Sequence, residues 1–181
     1  MGEEIKQLIG DDEKIYYEGK PYKKCFEKES IFNPLLPISI LWTAFDSIFF
    51  IAAFASGELF VTIFVLLFLA FHMMPVWMYI STVLFYRQRF EKAYYIITDK
   101  CVYISSGTFN TNVKVLSFRD ITEINMFRGY FDMRYDVGDI VFTTNEKTSN
   151  GGPVKVTLGS VAYYKEIYNV ASKLHKLRLI G

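Results

Sequence analysis

Asp46 and His72 are two ionisable residues set inside otherwise apolar stretches, and no other residues of the chain are better placed to do chemistry. A carboxylate and an imidazole in such surroundings can relay a proton, hold a cation or hydrogen-bond two helices together. Counted outward from Gly57, Asp46 is eleven residues away and His72 fifteen. At about 1.5 Å of helix per residue their depths differ by roughly 6 Å, one turn, which side chains bridge if the faces match. Ser39, Thr43 and Asp46 share one helical face, and His72, Pro75, Tyr79 and Thr82 share another. Three readings stay open for this pair: a polar contact between helices or subunits, an interfacial position without a role, and proton or ion handling. The last needs an oligomer or a partner, because two helices alone enclose no pathway.

A second set of candidates is basic. Arg119, Arg128 and Arg134 fall near strand ends and loops, where they could meet an acidic partner or an anionic lipid, or be paired locally with Asp120, Asp132 or Asp136. His175 stands among basic residues with no nucleophile beside it and reads as a surface histidine. The two cysteines, Cys25 and Cys101, lack metal-ligand spacing and fit a reducing compartment. Cys101 reads as a strand residue, and Cys25 leaves lipidation open without a motif for it. The chain carries no glycine-rich phosphate loop, no His-Glu-x-x-His and no Gly-x-Ser-x-Gly. We therefore expect no catalytic residue, no metal, no cofactor and no nucleic-acid partner. The thirteen Tyr and seventeen Phe suit lipid contact, interfacial belts and a small core better than base stacking.

The elements that must position these residues begin with the stretch from Leu35 to Tyr86, long and apolar, with only Ser56-Gly57-Glu58 interrupting it. About 20 apolar residues match a bilayer core, so two spans fit, about 35–55 and 59–86. The second would measure roughly 42 Å, must tilt or emerge, and is expected to bend at Pro75. Basic residues flank both outer ends (Lys20, Lys23, Lys24 and Lys28 before, Arg87, Arg89 and Lys92 after), and the intervening turn has none. The positive-inside rule then puts both termini in the cytoplasm of a multi-pass cell-membrane protein. Residues 1–33 form a polar leading segment with six Lys against eight acids, and without the apolar core of a signal peptide. Within it 14–18 has strand composition, and we expect Ile15 to Tyr17 to cover a sheet edge. The chain thus divides into 1–33, a hairpin at 34–86 and a soluble domain at 87–181.

After Tyr86 the pattern changes to short β-type runs. Residues 93–98 and 101–105 read as two strands joined by the turn Asp99-Lys100. Further strands are expected at 113–118, 121–127, 139–144 and 154–158, with another short one at 133–135, and Asn150-Gly151-Gly152-Pro153 marks a hairpin loop. A helix over 161–177 follows, with Ser160 as its N-cap. Tyr164, Ile167, Val170, Ala171, Leu174 and Leu177 make its apolar stripe. Fourteen Lys and Arg against nine acids make 87–181 modestly basic, which favours an anionic lipid surface only if the charges cluster.

Six or seven short strands closed by one C-terminal helix is the element order of the pleckstrin-homology-like fold. Tyr95-Ile96-Ile97-Thr98-Asp99-Lys100-Cys101-Val102-Tyr103 resembles the opening hairpin of the bacterial pleckstrin-homology-like family. Asp120-Ile121-Thr122-Glu123-Ile124 and Gly138-Asp139-Ile140-Val141-Phe142 look like its middle strands, and Gly19-Lys20-Pro21 and Phe32-Asn33-Pro34 are similar to the start of members with a two-helix membrane hairpin. The resemblance implies a membrane α-helical hairpin plus an α+β cytoplasmic domain, a partly open barrel of 6–7 antiparallel strands capped by one helix. It further implies a non-enzymatic module that works through contacts with an unknown protein or with itself. Phosphoinositide binders of this fold use a long basic loop between their first two strands. Here that connection is Asp99-Lys100, too short to wrap a polyphosphate head group, so inositol-lipid binding is not expected.

Overall fold

The computed structural model describes residues 2–180, with side chains through Arg178. In chain order the elements are α1 (Gly2–Lys6), β1 (Ile15–Gly19), α2 (Lys23–Ile31), α3 (Leu35–Ala55), α4 (Leu59–His72), α5 (Met74–Leu84) and α6 (Tyr86–Lys92). They continue as β2 (Tyr94–Thr98), β3 (Cys101–Ser106), β4 (Asn112–Ser117), β5 (Ile121–Phe127), α7 (Tyr130–Tyr135), β6 (Gly138–Lys147), β7 (Pro153–Val161) and α8 (Tyr164–Ile180). The chain divides into two compact units, residues 29–86 and residues 1–28 with 87–181.

The helical unit is built on α3 against α4 and α5. Asn33 starts α3: its Oδ1 accepts the Leu35 N–H at 2.8 Å, and its Nδ2 donates to Ser30 O. The turn after α3 closes through Gly57 at φ +67°, the left-handed conformation that suits glycine at a helix end. Pro75, which lacks an N–H, stands in the first turn of α5, and α4 and α5 meet at a 56° bend. Carbonyls released at that break are taken up by indoles. Trp42 Nε1 donates to His72 O at 2.8 Å and Trp77 Nε1 to Ala70 O at 3.1 Å. On length and composition one helical stretch, Lys23–Ala55, is long and apolar enough to cross a membrane, and the bent pair is a second if it counts as one span.

The β unit holds two antiparallel sheets, β1-β2-β3-β4 and β5-β6-β7. Side chains alternate across a strand, so Tyr95 and Ile97 of β2 and Val102 and Ile104 of β3 point to one side. There they join Ile140 and Phe142 of β6, Leu158 of β7 and Ile167, Ala171 and Leu174 of α8 in the main core. Ile96 and Tyr103, paired across the same ladder, point the other way and are covered by Ile5 of α1, itself fully buried. β2 is thus buried on both faces, and β1 pairs with it antiparallel, from Ile15 opposite Thr98 to Gly19 opposite Tyr95. Polar contacts bind the same segment. Thr98 Oγ1 and Tyr103 OH donate to Glu13, Lys14 N–H donates to Asp99 Oδ1, Lys100 pairs with Asp12, and Lys6 with Glu18 at 2.8 Å. Burial raises the Tyr103 phenol above its ordinary pKa, and the Glu13 carboxylate beside it adds to the shift. Tyr17, packed on the main core, is pushed up to about 12 by burial.

Three sequence expectations change. Residues 133–135 belong to helix α7, because Asp132 Oδ2 accepts the Gly129 N–H at 2.8 Å and starts a turn. The last helix begins at Tyr164, and Ser160 does not cap it: Ser160 is buried at φ +52° and its N–H donates to Asp139 Oδ1. Leu177 leaves the apolar stripe and is 58% exposed, lining the groove beside β5. Gly138 is required by close approach, because a Cβ there would meet the Tyr164 ring at 2.9 Å. Ile5→Ala leaves a cavity over Ile96 and Tyr103. It should cost about 2–5 kcal/mol in the denaturation midpoint of the β unit, where an exposed isoleucine would cost almost nothing.

Candidate functional site

Asp46 sits on the α3 face turned to the α4–α5 break and is 2% exposed. His72, the last residue of α4, donates from Nδ1 to Asp46 Oδ1 at 2.8 Å. The imidazole is held by rings: Phe68 stacks on it with centroids 4.8 Å apart, and Trp42 and Phe45 tilt against it at 5.2 and 6.3 Å. Asp46 Oδ2 has no hydrogen-bond partner among the described residues. Chemically the pair can bind α3 to the break, or share a proton between a carboxylate and an imidazole in an apolar setting.

The arginines separate into two kinds. Arg128 is committed internally. Its Nε donates to Val137 O at 2.9 Å, its Nη2 to Asp132 O and to Asp136 Oδ1, and its guanidinium lies 4.7 Å over the Tyr164 ring. It thereby ties the residue before α7 to the C-terminal end of that helix and to the start of α8. Arg119 and Arg134 are exposed. His175 is not a free surface histidine, since its Nδ1 donates to Phe118 O at 3.2 Å. Cys25 is fully buried and donates to Asp132 Oδ1 at 3.5 Å, so the lipidation left open at that sulfur has no accessible thiol. Cys101 is half-buried, and burial pushes its thiol up.

Sequence reasoning did not isolate the groove between β5 and α8. It holds about 560 Å³ and runs along Thr122, Glu123 and Ile124 on one side and Tyr168, Ser172 and Lys176 on the other. The β5 register shifts between Ile121 and Glu123, and Thr122, Glu123 and Ile124 beside that bulge all line the groove along this strand. The outer edge of β5 is unpaired, because β5 ends its sheet. The signal in sequence was present but faint. Asn169, Ser172 and Lys176 recur at helical spacing on the face of α8 away from the stripe, which reads equally as a solvated surface.

A family model described as bacterial PH domain matches residues 46–175, from within α3 to within α8. The chain belongs to that family. Its PH unit has antiparallel strands and a C-terminal helix as expected, the strands being divided between sheets of four and three, with helices at the N-terminus besides. PH domains serve generally as modules that bind proteins or lipids. Among solved structures the chain is similar to the "Vps36 N-terminal PH domain" at 10% identity, over 51% of this chain and 68% of that one, with a TM-score of 0.37. No curated protein matches the sequence. In the PH unit the β2–β3 connection is the two residues Asp99 and Lys100, and the ammonium of Lys100 is already paired with Asp12.

Two outcomes are expected. Arg128→Ala should lower the stability of the PH unit by about 1–3 kcal/mol with little rescue by Arg128→Lys, while Arg119→Ala and Arg134→Ala stay within about 0.5 kcal/mol, measured by chemical denaturation. A double-mutant cycle with Asp46→Ala and His72→Ala should give a coupling of about 0.5–2 kcal/mol in detergent-induced unfolding; additive effects would mean that the 2.8 Å contact carries no energy.

Proposed function

We propose that this chain is an integral membrane protein whose helical unit crosses the bilayer as a hairpin. In this reading its cytoplasmic PH unit binds a partner protein along the β5 edge, and its role is binding rather than catalysis. The observation that carries the binding reading is the groove beside an unpaired strand. An extended segment of a partner can hydrogen-bond to β5 while its side chains rest on α8. Support for a non-catalytic role comes from the work the candidate groups already do, with Arg128 and His175 spent on internal carbonyls.

Support for the membrane reading comes from exposure. A core helix of a soluble protein hides its apolar residues, yet in the most apolar window of Lys23–Ala55 only 17% are buried. Leu41, Phe60 and Phe71 stand 72, 81 and 83% exposed. Surface of this kind is stable against lipid and costly against water. Arg87, Arg89 and Lys92 follow the second segment and no basic residue lies in the 56–58 turn, which argues for the PH unit on the cytoplasmic side. A second reading, a subunit of a membrane transport or enzyme complex, is favoured by the unpartnered oxygen of Asp46. Sensing of anionic lipid by the basic domain has only Arg119 and Arg134 left among the predicted arginines.

Alkaline carbonate should leave the chain in the membrane pellet, and release would remove the membrane reading. A photoreactive side chain at Ser172, on the groove wall, should give protein adducts in native membranes, and one at the exposed Lys155 of β7 should not. Equal labelling at both positions, or adducts to lipid alone, would sink the β5-edge reading.

A further inference from the structure

Thr43 and Ser47 of α3 each line two cavities, one of about 350 Å³ bounded by Asp46, Ile51 and Leu69, the other of about 440 Å³ bounded by Ser39, Val76 and Tyr79. Sharing those two residues makes them one groove. It follows α3 from Leu36 to Ile51, roughly 22 Å at the rise of a helix. The Thr43 hydroxyl gives its proton to Ser39 O and the Ser47 hydroxyl to Thr43 O, both at 2.7 Å. In a single copy both protons point back along α3, and rotation of either hydroxyl turns its proton into the groove. Asp46 borders the same groove, is 2% exposed, and has one carboxylate oxygen on His72 and the other without a donor. A buried acceptor left unmet costs about 1–3 kcal/mol, more when charged. Whatever fills this groove is expected to bring hydrogen-bond donors to the level of Asp46.

We infer that the occupant is α3 of a second copy of this chain, in a parallel two-fold pairing; this rests on the membrane reading above. Copies inserted the same way in one bilayer run parallel, so equal residue numbers meet at equal depth. Thr43 and Ser47 of the second copy then arrive beside Asp46. A hydroxyl can turn from its backbone carbonyl, which already holds a helical N–H, toward the carboxylate. Symmetry makes the exchange mutual, each copy supplying the donors that the other lacks. Ser39, Thr43 and Ser47 recur every four residues with Ala44 beside them, and small side chains on that spacing let two helices approach closely.

The test uses the full chain in native membranes with Cys101→Ser; the remaining Cys25 thiol is buried. Under mild oxidation Ser47→Cys and Ile40→Cys should form disulfide-linked dimers at least tenfold more than Leu41→Cys, which lies on the opposite face of α3 and is 72% exposed. Energy transfer between labelled copies in liposomes should show a monomer–dimer equilibrium that Thr43→Val with Ser47→Ala weakens about tenfold. Equal cross-linking at Leu41→Cys, monomers at every protein-to-lipid ratio, dimers untouched by the double substitution, or a different protein captured in place of the second copy would each overturn the pairing. Release by carbonate would instead overturn the membrane reading, whereas retention with monomers sinks the pairing alone.

Discussion

Asp46 lies almost out of reach of solvent in a helix made otherwise of apolar and small residues, and a carboxylate there persists only with a donor against it. His72 is that donor, and its position decides much of the helical unit. To reach Asp46 the imidazole must stand at the end of α4, where the chain breaks before Pro75. The break in turn frees carbonyls that apolar surroundings cannot satisfy, and Trp42 and Trp77 take them. The Asp46–His72 contact thus stands at the break, with the aromatics packed on His72 and both tryptophans donating to carbonyls of α4.

The same demand for partners organises the PH unit. Because β2 is apolar on both faces, its second face needs a cover, and Ile5 supplies it. The leading segment is held in place by paired charges and by Glu13, which accepts from Thr98 and Tyr103. At the other end of the unit Arg128 acts as a brace, its guanidinium spread over two backbone carbonyls, Asp136 and the face of Tyr164. These residues are charged or polar and lie outside the periodic patterns, yet they set how the sheets, α7 and α8 meet.

A consequence for function is that few polar groups remain uncommitted where they could be used. Arg128, His175 and Cys25 are occupied in holding the fold, and among the features left open in the described residues are the outer edge of β5 and one oxygen of Asp46. The first can pair with a strand, the second with a hydrogen-bond donor. Membership in the bacterial PH domain family agrees with a module that works by binding, and the match begins inside α3, so the family region includes part of the helical unit.

Local regularities were legible from residue order alone. The limits of α3, the break at Pro75, the turns at Gly57 and Asp99-Lys100 and most strands follow from apolar periodicity and from glycine and proline, which act within a few residues of themselves. That Ile15 to Tyr17 would cover a sheet edge was also expected from strand composition in a polar segment, and the structure supplies β2 as the partner. Residues 133–135 are too few to show a period, and a cap from Asp132 makes the turn helical. Leu177 has the right spacing for the core but stands exposed, and Arg128 looks from its neighbours like any loop arginine. Sequence could bring Asp46 and His72 to within a turn of each other in depth; which way each faced, and that one oxygen would be left over, depended on how three helices pack. Periodicity reports the face a residue occupies on its own element, and only the meeting of elements far apart in the chain decides what that face touches.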